Sequence, residues 1–303
     1  MKRIFAFVLT MVMLASFAAC GMVDVEGDGE VGGFFSPIAD GDGGEEDNTL
    51  MPVDFERYVV VDNEYCTIEI TGIGEDILWG YSISTQLENK SEDKTYMFSL
   101  QSASINGVEV DSLFAAEVAP GKKAVENITF LEDDLENNGI EQYTDIQLDF
   151  RVYDSNDWTA DEVALVSTHI YPYGGENATT FVREAKPRDV VLVDNDSVTV
   201  LATGYREDAL WGYTIDIYIV NKTETTVMVS VDEASVNGFM ADPFFATDVV
   251  AGKCAFASIS WSDSEFEKSG ITEVEEIEFQ LRVYDYNNWM ADDFANEKVT
   301  LKP

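Results

Sequence analysis

Two loops hold the best placed oxygen donors in the chain. They read Asp154-Ser155-Asn156-Asp157-Trp158-Thr159-Ala160-Asp161 and Asp285-Tyr286-Asn287-Asn288-Trp289-Met290-Ala291-Asp292. Asp and Asn at alternate positions can bring side-chain oxygens to one point, which is what a calcium ion needs. Asp154, Asn156, Asp285 and Asn287 are the calcium candidates on this reading. Neither loop carries Asp-x-Asp-x-Asp-Gly, and neither has a bidentate glutamate in register further along. The same residue types also cap turns through their own side chains. Structural turns are therefore the expected role of Asp154, Asn156, Asp157, Asp161, Asp285, Asn287, Asn288 and Asp292, with contact to a partner as a further alternative. Trp158 and Trp289 are expected to pin each loop to the body beneath it.

Catalytic groups are sparse. His169 is the one histidine, in a Thr-His-Ile-Tyr run with no counterpart later in the chain. There is no Gly-x-Ser-x-Gly. Carboxylates are so numerous that any glycosidase-like pair can be drawn at will, which makes none of them informative. Gly72-x-Gly74 is not a nucleotide loop, because neither a lysine nor a helix follows, and a bulge or tight turn fits better. Trp79 and Trp211 read as core or part-core residues, with a sugar-stacking platform as the alternative if they are exposed. No enzyme and no cofactor are expected.

The leader sets the address. Met1-Lys2-Arg3 precedes an apolar run from Ile4 to Ala19, a positive-then-apolar order that reads as an export signal. The run is a few residues short of a comfortable membrane span. Its end, Phe17-Ala18-Ala19-Cys20-Gly21, resembles a bacterial lipobox, with Phe17 where such motifs usually carry leucine. The resemblance implies a signal peptide over 1–19, diacylation of Cys20, and a place on the outer face of the cell membrane. Ordinary cleavage near Ala19 and an unanchored secreted protein is the alternative. Residues 20–53 are rich in Gly, Asp and Glu and cannot bury enough apolar surface to order themselves, so a flexible acidic tether is expected.

A formal net charge of -40 over 303 residues excludes a nucleic-acid backbone as partner. It also disfavours lying flat on an anionic membrane, leaving the lipid as the only membrane contact. Cys66 and Cys254 do not occupy matching places in the repeat described next, so a disulfide within each copy is excluded, and two isolated thiols are expected.

The elements that carry these residues come in two copies, offset by 131 to 132 residues. Val61-Asp62-Asn63 recurs as Val193-Asp194-Asn195, and Leu78-Trp79-Gly80-Tyr81 as Leu210-Trp211-Gly212-Tyr213. Asn89-Lys90 recurs as Asn221-Lys222, Asn106-Gly107 as Asn237-Gly238, and Arg151-Val152-Tyr153-Asp154 as Arg282-Val283-Tyr284-Asp285. The copies span 54–170 and 189–303, joined by a Gly/Pro-bearing link over 171–188 that is expected to allow rotation. Ile146, Leu148, Phe150 and Val152 alternate with polar residues, as do Ile277, Phe279, Leu281 and Val283, the period of a strand with one buried face. Further strands are expected at 57–61, 66–70, 81–87, 95–104 and 124–130. Asn-Gly predicts tight hairpin turns, and Gly139 and Gly270 end one short helix per copy. About seven short strands per copy predict an all-β chain of two tandem immunoglobulin-like β-sandwiches.

Each copy resembles the immunoglobulin-like domains of unknown function found in lipoproteins of Gram-positive gut Firmicutes. The likeness rests on the Asn89-Lys90-Ser91 and Asn221-Lys222-Thr223 turns, the Ser-x-Asn-Gly turns ending at Gly107 and Gly238, and Val118-Ala119-Pro120-Gly121-Lys122 with Val249-Val250-Ala251-Gly252-Lys253. These are turn and core positions, so the resemblance implies a fold and no catalytic residue. The expected function is a non-enzymatic cell-surface binding or scaffold module, whose partner is a surface protein or a wall or host polymer. A calcium-stabilised adhesive or spacer stalk and a solute-binding lipoprotein are the alternatives.

Overall fold

The computed structural model describes residues 50–303 apart from 77–79, 131–132 and 158. The leader, Cys20, all but the last residues of the tether, Trp79 and Trp158 lie outside the described residues. The first copy runs β1 (Tyr58–Asp62), β2 (Cys66–Asp76), β3 (Gly80–Asn89), β4 (Tyr96–Ile105), β5 (Val108–Glu109), β6 (Ser112–Leu113), β7 (Ala115–Val118), β8 (Lys123–Phe130), α1 (Asp133–Asn137), β9 (Ile146–Asp154) and β10 (Ala164–Ile170). The second runs β11 (Val190–Asp194), β12 (Val198–Asp208), β13 (Gly212–Asn221), β14 (Val227–Val236), β15 (Phe239–Met240), β16 (Ala246–Val249), β17 (Cys254–Trp261), α2 (Asp263–Ser269), β18 (Ile277–Asp285) and β19 (Ala295–Leu301). The chain is all-β with two short α-helices, and each copy is a β-sandwich.

In the first copy, one sheet is ordered β1-β2-β3-β8-β6, and the other places β10, β9 and β4 side by side with β5 and β7 along β4. The second copy repeats this with β11-β12-β13-β17 and with β19-β18-β14, β15 and β16. Alternation explains the layering. Every second residue of β9, from Ile146 to Val152, is wholly buried, and β18 does the same with Ile277, Leu281 and Val283. Each buried side chain of this size contributes about 1.5–3 kcal/mol by leaving water. Two cores result. One gathers Ile68, Ile83, Phe98 and Phe150. The other gathers Ile215, Val229, Phe279 and Trp261, whose indole N–H donates to the Ala241 carbonyl at 2.9 Å.

The Asn-Gly pairs turn as expected. Asn106 and Asn237 both have φ of 51° and Gly107 and Gly238 both have φ of 81°, the doubly positive turn that suits strand twist. The pairing of β2 with β3 slips between Ile70 and Gly72, and that of β12 with β13 between Ala202 and Gly204, so the predicted bulge is present in both copies.

The link does not behave as a swivel. β5 pairs in parallel with β17, Val108 opposite Cys254, so one sheet runs from the first sandwich into the second. Phe181 of the link packs edge-on against Tyr218 and Phe256, with centroids 6.3 and 5.9 Å away. The backbone N–H of Phe181 donates to the Asn106 carbonyl. Gly and Pro in a link show where regular structure stops. They do not show whether the residues between them have something to pack on.

Candidate functional site

The recurring polar residues gather at one corner of each sandwich. Asn63 Oδ1 accepts the N–H groups of Tyr65 and Cys66, and its Nδ2 donates to the Val163 carbonyl. Asn195 makes the matching bonds to Ser197, Val198 and Phe294. Asn89 and Asn221 are wholly or almost wholly buried. Each donates to two carbonyls, Lys94 and Val118 in one copy, Thr225 and Val249 in the other. Lys222 Nζ bridges Asp194 and the Asn195 carbonyl, and Lys90 makes the same pair of contacts with Asp62 and Asn63. A buried amide satisfies carbonyls that the strands cannot reach, so these motifs recur because the corner needs them.

The two Asp/Asn loops stand beside this corner, at the end of each sandwich where Tyr286 N–H meets the Thr226 carbonyl and Ser155 N–H the Thr95 carbonyl. Asp154 Oδ1 accepts the Asn156 N–H at 3.0 Å, and Oδ2 faces Lys94 Nζ at 3.1 Å. These partners hold its carboxyl below the usual carboxylate range, the Asn156 N–H first and Lys94 second. Asp157 Oδ1 takes the N–H and hydroxyl of Thr159. Asp285 Oδ1 takes the N–H groups of Asn287 and Asn288, at 2.8 and 3.1 Å. Asn156, Asp161, Asn287, Asn288 and Asp292 are exposed. Among the described residues no three His, Cys, Asp or Glu side chains converge as a metal site. The geometry is that of turns capped by their own carboxylates.

Trp289 does not pin its loop. It is 70% exposed, with Met290 and Tyr286 also exposed beside it, and backbone bonds to Thr226 and within the turn hold the loop instead. Trp211 departs from the core reading too: it is 52% exposed and meets Phe244 at a centroid distance of 6.4 Å. His169 donates its Nδ1–H to Asp145 Oδ1 at 2.7 Å and stacks on Tyr171. Both thiols are free and buried, and burial pushes Cys66 up to about 11, far from thiolate chemistry.

The most elaborate polar arrangement lies where the copies meet, and composition gave no hint of it. Cys254 N–H donates to the Gly107 carbonyl at 3.0 Å, Val250 N–H to Glu109 Oε1 at 2.9 Å, and Lys253 Nζ to Gln147 Oε1 at 2.7 Å. Arg183 and Asp189 form a two-pronged pair at 2.6 and 2.8 Å with side chains only 6% and 8% exposed, under the Tyr218 ring. The Arg183 bonds hold the Asp189 carboxyl down at about 2. Beside the junction is a cleft of about 370 Å³ whose lining includes apolar Leu100, Val108, Leu135 and Phe256 and acidic Glu109, Asp111 and Asp248. Burial pushes Glu109 up to about 7, against the pull of the Val250 N–H and with Asp248 adding to the rise. The available signal for this site was a mismatch between copies. Tyr218, Phe256 and Cys254 stand where the first copy has Gln86, Val125 and Lys123.

No protein-family model matches the chain, and no curated protein matches it. Among solved structures, the YadV chaperone is 9% identical with a TM-score of 0.22, over 73% of this chain and 92% of that one. The CsuC–CsuE chaperone–tip adhesion subunit complex from the Csu pili of Acinetobacter baumannii is 10% identical with a TM-score of 0.19, over 72% and 90%. Red sea bream transglutaminase is 10% identical with a TM-score of 0.19, over 73% of this chain and 28% of its own length. Overlaps this loose carry no argument about function, which rests on the residues themselves.

Proposed function

We propose that the chain is a non-enzymatic cell-surface lipoprotein, anchored through Cys20, that presents two immunoglobulin-like sandwiches as a stiff binding or scaffold module. The junction carries this reading. A shared sheet, an aromatic wedge and a buried ion pair fix the two bodies in one relation, which suits a scaffold that holds a surface at a set distance. A solute-binding lipoprotein would call for α/β lobes around a hinged cleft, and the described residues form sandwiches tied across their junction. The partner class is a surface protein or a wall or host polymer, met by the exposed ends rather than by a deep pocket.

Fatty-acid labelling of the full chain, with protease treatment of intact cells, tests the placement. Label should enter the wild type and be lost in Cys20→Ser, and external protease should remove the sandwiches. An unlabelled wild type, or sandwiches protected until lysis, would refute the anchor. Turnover of a wall-derived substrate, abolished by a point change, would refute the non-enzymatic reading.

A further inference from the structure

The end of the second sandwich is the same surface that the first sandwich uses at the junction. In the first copy β5 lies along β4, with Ile105 opposite Val108 and Ser104 opposite Glu109, and its outer side takes the start of β17. In the second copy β15 lies along β14 in the same register, with Val236 opposite Phe239 and Ser235 opposite Met240. Among the described residues nothing lies on its outer side. Phe239 and Met240 are 52% and 68% exposed, and Leu210, Trp211 and Phe244 are exposed at the same end. The direction of change between copies matters. Val108 becomes Phe239, Glu109 becomes Met240 and Leu113 becomes Phe244, each a larger or less polar side chain at an exposed place. A surface that met only water would not gather apolar groups this way.

The matching receiving surface exists on the first copy. The turn before β8 has the same bonds as the turn before β17: Asn89 N–H to the Lys122 carbonyl and Lys122 N–H to the Ala119 carbonyl, as Asn221 to Lys253 and Lys253 to Val250. β8 pairs with β6 only at Thr129 and Phe130, so among the described residues no strand pairs with that edge from Lys123 to Ile128, the stretch that matches the start of β17 where β5 lands. Val125, in the place of Phe256, is 71% exposed. Lys122 stands where Lys253 reaches Gln147, and Glu278, which holds Lys298 at 2.9 Å, stands where Gln147 receives it, so the lysine-to-amide tie inside the chain becomes a lysine-to-carboxylate contact that Lys122 shares with Lys298.

We infer that the β15 end of one molecule docks on the β8 edge of a second copy of this chain, repeating between molecules the junction made within one. Such a contact is head-to-tail and does not close on itself, so it extends into rows. Gln86 in place of Tyr218 and the lack of a Phe181 wedge make it weaker than the internal junction, and the net charge of -40 opposes it at low salt. It therefore forms where copies are concentrated.

Sedimentation of the Thr49–Pro303 unit, which contains both cores whole, tests this at about 5 to 500 µM in moderate and high salt. The wild type should associate with concentration, more so in salt. Phe239→Asp with Met240→Glu spoils one end, and Lys122→Glu with Val125→Glu spoils the other. All four positions are exposed, so unchanged melting confirms folding. Each double variant alone should lose at least about tenfold in association constant, roughly 1.4 kcal/mol. Mixed together they should pair one to one through their intact ends. A wild type that stays monomeric throughout overturns the inference. So does a β8-edge variant that still self-associates, since that contact would be symmetric.

Discussion

Asn89 and Asn221 show how little a residue type says until its partners are known. Each amide feeds one carbonyl in the turn that follows it and one at the end of a strand, β7 or β16. Asn221→Ala would take the amide donor from the Val249 carbonyl and leave the Thr225 carbonyl only the Thr223 hydroxyl, at a cost of about 1–3 kcal/mol in urea unfolding. Trp289→Ala should change stability by less than about 0.5 kcal/mol, because most of the side chain already faces water. Calcium should leave the melting temperature unmoved against chelator, because Asp285 Oδ1 already holds two N–H groups and Asp154 is shared between Asn156 and Lys94. A rise of several degrees would show a metal that prefers the folded state and would reinstate the calcium stalk. Alternating Asp and Asn were legible as residues with a local job. Calcium loops and capped turns use the same types at similar spacing, so which job depends on the oxygens already engaged.

At the scale of elements, period-two alternation, Asn-Gly turns and helix-ending glycines located β9, β18, the hairpins and both helices, because each of these is decided by neighbours in sequence. The pairing of β5 with β17 joins residues far apart along the chain, and two residues of strand leave no period to read. The link was misread for the same reason. Its order comes from Tyr218, Phe256 and Asn106, none of which lies in it. Arg183→Met should destabilise by about 1–3 kcal/mol by leaving the part-buried Asp189 carboxylate only the Lys186 N–H, whereas replacing both partners by apolar residues of similar size should cost less. Thermal unfolding of the single and double variants separates these outcomes. If Arg183→Met proves neutral, the pair does not fix the link.

For the whole molecule, the acid–base balance is set by a large surplus of carboxylates and a few at odds with it. Glu109 is raised in the folded state, so folding favours its protonated form. Its contribution is complete below about pH 4.5, the unfolded range, and is lost as pH climbs to about 7. Asp189 runs the other way: its contribution is present above about pH 3.8 and lost as pH falls through about 2. Melting should therefore be highest near pH 5 and decline toward neutrality. Glu109→Gln should remove part of that decline and raise stability at pH 8 by about 1–2 kcal/mol. An unchanged slope in Glu109→Gln would assign the decline to general repulsion among surface carboxylates, which salt would relieve.

The two thiols give the molecule a pair of internal clocks. Cys66 lies wholly inside the first core, and Cys254 lies beneath the Gly107 carbonyl at the seam. A small alkylating reagent reaches the first only when a sandwich melts, and the second as soon as the seam parts. The ratio of their modification rates in the unaltered chain thus reads how often the two bodies let go of each other without unfolding.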